Sequence, residues 1–372
     1  MAIATILLPN FNNERVLPLM FSCLRRNIDC SSVEFVLADD GSEDDSVRIA
    51  KAELGRTPFS RAEILELDHQ GIVRALNAGL SACRTQFILR IDGDATVETR
   101  FWEQRLCRWL IEFPELGLVG GQVIFDDGRL HSFGRAVLDE WGLRDMGCWP
   151  YEAVGTRSFD AHVIRPITRF AMTAPYEVDT ILGVCVAFRR QDALDMGGFD
   201  SVFSPVWIED DDFGLQMRRL GKRVLVDPAI QVVHRVSIRN SREPGVVVRS
   251  PFIKPFDEIS PVKDEPSLIS RIRSRSEAKC ARKPSVPADN SLSPEILTLW
   301  REHSPWRVDI LTKHYRSWLK KWGFHPLNPD LSDIHRLFAD HPILGWRLMP
   351  KAWSQSREFS LRALAFASQV ST

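Results

Sequence analysis

The sequence predicts a layered α/β domain over roughly its first 240 residues, on three observations. Short apolar runs alternate with segments of helical spacing. Several of those runs stop abruptly in polar residues, as strands do at the ligand-binding edge of an open sheet. Hydrophobic residues make up 44% of the chain and charged residues 26%, which suffices for a large core.

Taken in order, "IATILLP" (3–9) reads as a strand stopped at Pro9, and "ERVLPLMFSCLRRN" as a helix with Val16, Leu19, Met20 and Leu24 at helical spacing. "EFVLADDGS" (34–42) is a second strand running into a turn. "DDSVRIAKAEL" is a helix whose early acids suit its N-terminal dipole. "AEILEL" and "GIVRALNAGLSAC" give a third strand and a third helix. Phe87 to Ile91 is a fourth strand, interrupted only by Arg90, and it ends in Asp92-Gly93-Asp94. "RFWEQRLCRWLIEF" is a helix closed by Pro114, followed by the strand "GLVGGQVIF" (117–125). Residues 126–176, rich in Gly, Trp and His, read as a loop-rich segment suited to shaping a pocket. Regular patterning returns in "DTILGVCVAFRR" (179–190), "QDALDMGGFD", "WIEDDDFGLQMRRLGKRV" and "AIQVVHR".

The composition changes after residue 240. Residues 241–292, with their Pro, Ser and mixed charge, read as a linker or extended arm. Residues 293–372 read as mainly helical, opening on a Ser293 cap with Pro294 after it. The predicted organisation is a domain over 1–240, the arm, and a helical region of unassigned role.

Several function classes are excluded. Lys and Arg number 48 against 49 Asp and Glu, a near-neutral balance that argues against a nucleic-acid binder. The seven cysteines form no C-x-x-C pair, and their scatter fits reduced thiols rather than a disulfide framework or zinc cluster. No run approaches the roughly 20 apolar residues of a bilayer span. A cytoplasmic chain is expected. Neither G-x-G-x-x-G nor G-K-[ST] occurs, so a standard dinucleotide site and a P-loop are both unsupported.

Three predicted strand ends carry polar clusters: Pro9 to Glu14, Asp39-Asp40-Gly41-Ser42, and Asp92-Gly93-Asp94. Each alone is compatible with turn chemistry, or with a helix cap from Asn13 or Ser42. Together they point to one shared site. Two carboxylates as close as Asp92 and Asp94 repel and lose hydration unless a cation sits between them. A second cluster, Glu209-Asp210-Asp211-Asp212, opens a helix that Arg218 and Arg219 close, with Gly221 just beyond. Four acids exceed what capping needs, and one of them is a candidate general base.

In this order "LLPNFNNERVLP", "VLADDGSEDDS", "HQGIVRALNAGLSACRTQFILRIDGDA", "GVCVAFRRQDALDMGGFD" and "EDDDFGLQMRRLG" resemble the successive motifs of family 2 glycosyltransferases with the GT-A fold, over roughly residues 3–240. The resemblance implies a Rossmann-like domain with a mixed central sheet flanked by helices. It also implies transfer of a sugar, with inversion, from a nucleotide-diphosphate-sugar donor to a saccharide or lipid-linked saccharide acceptor, in polysaccharide, cell-surface glycan or glycolipid synthesis. Asp92-Gly93-Asp94 sits where the family has its D-x-D motif. That implies Asp94 as ligand of Mn²⁺ or Mg²⁺, with Asp92 at the ribose or in the metal shell. Pro9, Phe11 and Glu14 match the first nucleotide-binding loop, Asp40 the base-reading position with Asp39 beside it, and Arg74 and Asn77 the donor side. Asp210 matches the proposed base. Glu209 and the Gly198, Phe199 and Asp200 block fall at the acceptor side. His234 is a candidate further metal or pyrophosphate contact, with a structural role as the alternative.

The pattern departs from the family where Phe11 replaces a usual Tyr and Leu76 a frequent Arg, so that a phosphate contact is either lost or supplied by Arg74. Residues 296–322 interleave Trp300, Trp306, Trp318 and Trp322 with Arg and Lys. Such a stretch suits either peripheral contact at the inner face of a membrane or packing on the catalytic domain or a second subunit. Two rival functions remain at this level. One is a sugar nucleotidyltransferase, whose Gly-rich N-terminal signature is missing; the other is a degenerate transferase acting as a binding or assembly subunit.

Overall fold

The computed structural model describes residues 2–126, 130–132, 134–138, 142–145, 175–236, 238, 305–322 and 357–370. Its centre is a mixed sheet. β1 (Ala4–Asn10) pairs in parallel with β2 (Val33–Asp39) on one side and β4 (Phe87–Ile91) on the other, and β3 (Arg61–Glu66) extends the parallel half beyond β2. β11 (Cys185–Arg189) runs antiparallel between β4 and β6 (Leu116–Phe125). β12 (Arg223–His234) lies parallel to β6, and β10 (Tyr176–Val178) forms the far edge. Short β5 (Ala95–Val97) and β7 (Leu130–Ser132) attach to β12 and β6, while β8 (Arg135–Leu138) and β9 (Gly142–Asp145) form a separate hairpin.

β1 and β4 are buried at every position and β2 at all but Glu34, which explains their near-continuous apolar sequences. The pleat divides β1 between two cores. Ile6 and Leu8 meet α1 (Leu17–Asn27) and α4 (Trp102–Glu112) through Phe21, Leu24, Leu106 and Trp109. Leu7 faces α3 (Ile72–Ala82) and α6 (Glu209–Arg219) through Leu76, Leu80, Phe213 and Met217. Helices α2 (Ser46–Leu54) and α5 (Arg190–Asp195) complete the two layers.

The structure adjusts several sequence expectations. α1 starts at Leu17 rather than Glu14, because the Asn13 carbonyl accepts the Val16 and Leu17 N–H groups and Pro18 occupies the first turn. The 179–190 run shortens to β11. "AIQVVHR" instead lengthens into β12, which passes through Asp227-Pro228 with a break in register. That interruption is tolerated because buried Asp227 accepts from Arg105 Nε and Trp109 Nε1, both at 2.6 Å. Within 126–176 the described residues include strands β7 to β9 and the start of β10, so this segment is not only loop.

Two C-terminal helices rest on the domain. α7 (Pro305–Trp322) begins at the proline expected to interrupt the helix, and it buries Trp318 against Phe203, ring centroids 6.1 Å apart. α8 (Arg357–Val370) sets Phe359 and Phe366 against Phe113 of the α4 end, and Phe366 also meets Trp109 at 4.6 Å. Full burial of an aromatic such as Trp318 contributes about 2–3 kcal/mol. Trp318 and Trp322 pack on the domain; the expected arm over 241–292, the Ser293 cap, and Trp300 lie outside the described residues. No helix among the described residues is long and apolar enough to cross a membrane. The five described cysteines, Cys23, Cys30, Cys83, Cys107 and Cys185, are free and buried.

Candidate active site

The site forms where β1, β2, β4 and β12 end. The β5–β12 register sets His234 opposite Ala95, and the Arg235 N–H donates to the Asp94 carbonyl at 2.7 Å. A histidine 140 positions from Asp94 thereby places Nε2 3.1 Å from Asp94 Oδ1. Asp92, Asp94 and His234 each offer a ligand atom, all within 4.8 Å of one another. This set of two carboxylates and an imidazole can hold a divalent cation. Behind it His234 Nδ1 lies 3.2 Å from His131 Nδ1, and His131 stacks between His234 and Phe125. Burial, with His234 and Arg135 nearby, holds His131 well below its ordinary value and keeps it neutral.

Arg90, the one charge inside "FILRI", is 2% exposed. Its guanidinium donates to Asp92 Oδ1 from Nε at 3.3 Å and Nη2 at 3.2 Å, and Nη2 lies 3.6 Å from Glu209 Oε1. One buried cation therefore ties the D-x-D turn to the acid helix. Gly183 makes room for it: a Cβ there would lie 2.3 Å from Arg90 Nη1. Burial pushes the Asp92 carboxyl up, Arg90 pulls it down, and Asp94 adds to the upward push. A lone arginine in an otherwise apolar strand was the signal, since buried charges are almost always paired.

The D-x-D turn is locked to the first loop. The Gly93 N–H donates to the Pro9 carbonyl at 3.2 Å, and a Cβ on Gly93 would sit 2.6 Å from Asn13 Nδ2 and 2.9 Å from Asn10 Oδ1. Asp39 accepts from Asn10 Nδ2 at 2.7 Å, from Ser42 Oγ at 2.6 Å and from the Ser42 N–H at 2.8 Å. Ser42 and Asn13 cap no helix; Ser42 Oγ accepts the Asn12 N–H, and Asn13 Nδ2 donates to Asn10 Oδ1. Asp40 accepts the Gln70 and Gly71 N–H groups at 2.9 and 2.8 Å. Both aspartates are thus buried and committed to loop geometry, holding the strand ends open as one edge. Glu14 Oε2 accepts the Asp45 N–H at 3.1 Å, and Phe11 stacks on exposed His69 with centroids 4.2 Å apart. His69 is a residue the sequence did not single out.

The four consecutive acids of α6 have four different environments. Asp211 is paired with Arg135. Asp212, fully buried, accepts from Lys321 Nζ at 2.9 Å, Trp322 Nε1 at 2.8 Å and Gln216 Nε2 at 2.7 Å. Glu209 lies near Arg90; burial and Asp210 push its carboxyl up to about 8, against the pull of Arg90. Of these four acids, Asp210 alone has no salt bridge among the described residues. Its oxygens accept the Gly183 N–H at 2.9 Å and the Asp211 N–H at 2.8 Å. Trp207 and Ile208 enter this helix at φ 74° and 73°, a left-handed backbone costing a non-glycine residue about 1–2 kcal/mol.

Opposite α6, Asn77 binds the "GGFD" backbone reciprocally. Its Nδ2 donates to the Phe199 carbonyl and its Oδ1 accepts the Phe199 N–H, both at 2.8 Å. A Cβ on Gly198 would lie 2.5 Å from Asn77 Oδ1. Phe199 stacks on Phe213 of α6 at 4.3 Å, with Arg90 over its ring at 5.6 Å. Asp200 Oδ2 accepts from Lys321 Nζ at 2.6 Å. Arg74 is exposed on α3.

A mixed sheet whose strand ends gather these acids defines a GT-A fold. Residues 5–165 match the model of glycosyl transferase family 2. EpsH of Bacillus subtilis (strain 168), whose name describes a glycosyltransferase, is 28% identical over 124 residues, 30% of this chain and 35% of that protein. The chain therefore spans about a third of that relative's length. The crystal structure of GalNAc-T7 with UDP, GalNAc and Mn²⁺ matches over 96% of this chain and 58% of its own, with TM-score 0.50 and 13% identity, a likeness of fold. The mannosyltransferase PcManGT from Pyrobaculum calidifontis, in complex with GDP-Man and Mn²⁺, matches over 93% and 83%, with TM-score 0.47 and 16% identity.

Proposed function

We propose that the protein transfers a sugar from a nucleotide-diphosphate-sugar donor to an acceptor hydroxyl by single displacement with inversion, Asp210 acting as base. The observation that carries this reading is the inequality among the four acids of α6. Three face Arg90, Arg135 or Lys321, whereas Asp210 makes no ion pair among the described residues and is oriented by two backbone N–H groups. A carboxylate so oriented can accept the acceptor hydroxyl's proton as its oxygen attacks the anomeric carbon. The anomeric carbon–oxygen bond to the diphosphate then breaks, and the bonding pair leaves with the diphosphate. Arg90 contributes by tying both halves of the site together.

Asp92, Asp94 and His234 are the residues that would hold the metal, and the imidazole favours Mn²⁺ over Mg²⁺. When bound, the cation neutralises charge on the leaving diphosphate. Phe11 and His69 offer a stacked aromatic pair at the nucleotide end, and exposed Arg74 a phosphate contact. The buried commitments of Asp39 and Asp40 make them shapers of the nucleotide loop in this reading, more than direct readers of the base. The acceptor lies on the side of Phe199 and Asp200.

The test is donor hydrolysis: incubation with a panel of UDP-, GDP- and dTDP-sugars, with and without Mn²⁺. Mn²⁺-dependent release of nucleoside diphosphate from at least one donor is expected. No release, together with no shift in melting temperature from any donor, would overturn the reading.

A further inference from the structure

The C-terminal helix α7 reaches the acid cluster with one side chain. Lys321 Nζ lies 2.6 Å from Asp200 Oδ2 and 2.8 Å from Asp212 Oδ1, so a single ammonium joins the "GGFD" segment to the first turn of α6. Trp322 supports it, donating Nε1 to Asp212 Oδ1 at 2.8 Å while Arg219 covers its ring at 3.8 Å. Arg219 also donates to the Lys321 carbonyl at 3.0 Å, satisfying an acceptor at the end of α7. Two turns back, His314 Nε2 lies 3.0 Å from the Ser204 carbonyl, and Trp318 is fully buried.

These contacts surround the segment from Asp200 to Asp212, which contains the left-handed pair Trp207 and Ile208. A backbone held in that region persists only where its surroundings over-determine it. α7 grips the segment on both flanks: at Ser204 before the strained pair and at Asp212 after it. Asp212 is fully buried and follows Asp210 by two residues on the same turn. Without Lys321 its carboxylate would be a buried charge with only neutral donors, and relief would come through movement of that turn. Against the upward push of burial, Lys321 and the Val202 N–H hold the Asp200 carboxyl below its ordinary value. At the other end burial pushes the Asp212 carboxyl up, against the pull of Lys321 and Trp322, so the ammonium is what offsets the cost of burying that charge.

We propose that Lys321, seated by Trp322, is a positioning residue for the reaction: by pairing with Asp200 and Asp212 at once, it fixes the turn that aims Asp210. The inference rests on Asp210 being the base. It gives the C-terminal helix a role in the chemistry rather than in anchoring alone.

The test uses the full chain and three variants, Lys321→Met, Lys321→Arg and Trp322→Phe. Donor hydrolysis is measured with Mn²⁺, the dissociation constants of UDP and GDP are measured by titration, and amide hydrogen exchange is followed across 207–214. Lys321→Met is expected to lower hydrolysis about tenfold or more, leave the nucleotide dissociation constant within about twofold, and speed exchange across Glu209 to Phe213. Lys321→Arg is expected to restore most of the rate, because it keeps the charge. Trp322→Phe, which removes one hydrogen bond and leaves the Lys321 ammonium in place, is expected to lie between. Unchanged hydrolysis and exchange would overturn the proposal, as would parallel loss of nucleotide binding or no difference between the Arg and Met variants. If the unsubstituted chain hydrolyses no donor, the transferase reading fails. The exchange comparison then still decides whether Lys321 holds the turn.

Discussion

Asp94 and His234 reach each other only because β5 and β12 pair, and their 3.1 Å separation sets the first expectation at the residue scale. Asp94→Asn removes a charged ligand and should weaken Mn²⁺ binding by at least about tenfold, read by titration in the absence of any donor. Asp210→Asn should lower turnover by about 10²–10⁴-fold with nucleotide binding nearly unchanged, because no contact in the nucleotide loops depends on it. Loss of binding in that variant would reassign Asp210 to structure. Glu209 answers to pH instead. Its carboxyl is raised to about 8, so the folded chain keeps a proton that the unfolded chain releases near its ordinary value of 4.5. The sign follows: no penalty below about pH 4.5, a growing loss of stability between about 4.5 and 8, and a constant loss above. Glu209→Gln should therefore melt close to the parent near pH 4.5 and above it at pH 8.5, in thermal scans at both values. An equal difference at both pH values would refute the assignment.

At the scale of elements, the turn after β4 and the loop after β1 behave as one unit, because Gly93 lets the two backbones approach. Gly93→Ala would drive a methyl group into Asn13, Asn10 and the Pro9 carbonyl. Overpacking of this kind costs about 1–3 kcal/mol. The expected outcome is a melting temperature lower by several degrees together with weaker nucleotide binding, compared by scanning calorimetry and titration. The strand–helix alternation and the acid-bearing strand ends were legible in the sequence, because period and turn chemistry are local properties. β5, β7 and the hairpin β8–β9 were not, since strands of three or four residues carry little periodicity and depend on partners elsewhere. Arg90 was visible only as an interruption in an apolar run. Its use depends on Asp92 and Glu209 coming to its two sides, which sequence spacing does not show. Asp39 and Asp40 were visible by motif position, but the loop hydrogen bonds both carboxylates accept were not. His131 and Lys321 were unreadable for the same reason, as their partners lie 103 and 109 residues away.

For the whole molecule, the binding edge is assembled from segments spread between Pro9 and Trp322, and ligand binding should be felt by all of them. In the proposed function nucleotide and metal bind the folded chain and not the unfolded one, so they should stabilise it by mass action, by about 2.7 kcal/mol at a hundred times the dissociation constant. For a domain of this size each kcal/mol is worth roughly 2–4 °C, giving an expected shift of about 5–10 °C with the preferred nucleotide and Mn²⁺ together. Because Asp92 and Asp94 repel until a cation lies between them, the nucleotide alone should give a much smaller shift. Chelation should reverse the difference, and Asp94→Asn should remove it without abolishing the nucleotide's own effect. Thermal scans over a matrix of UDP, GDP and dTDP with and without Mn²⁺ read both dependences at once. Equal shifts with and without metal would place nucleotide binding away from the Asp92, Asp94 and His234 cluster and separate that cluster from the reaction.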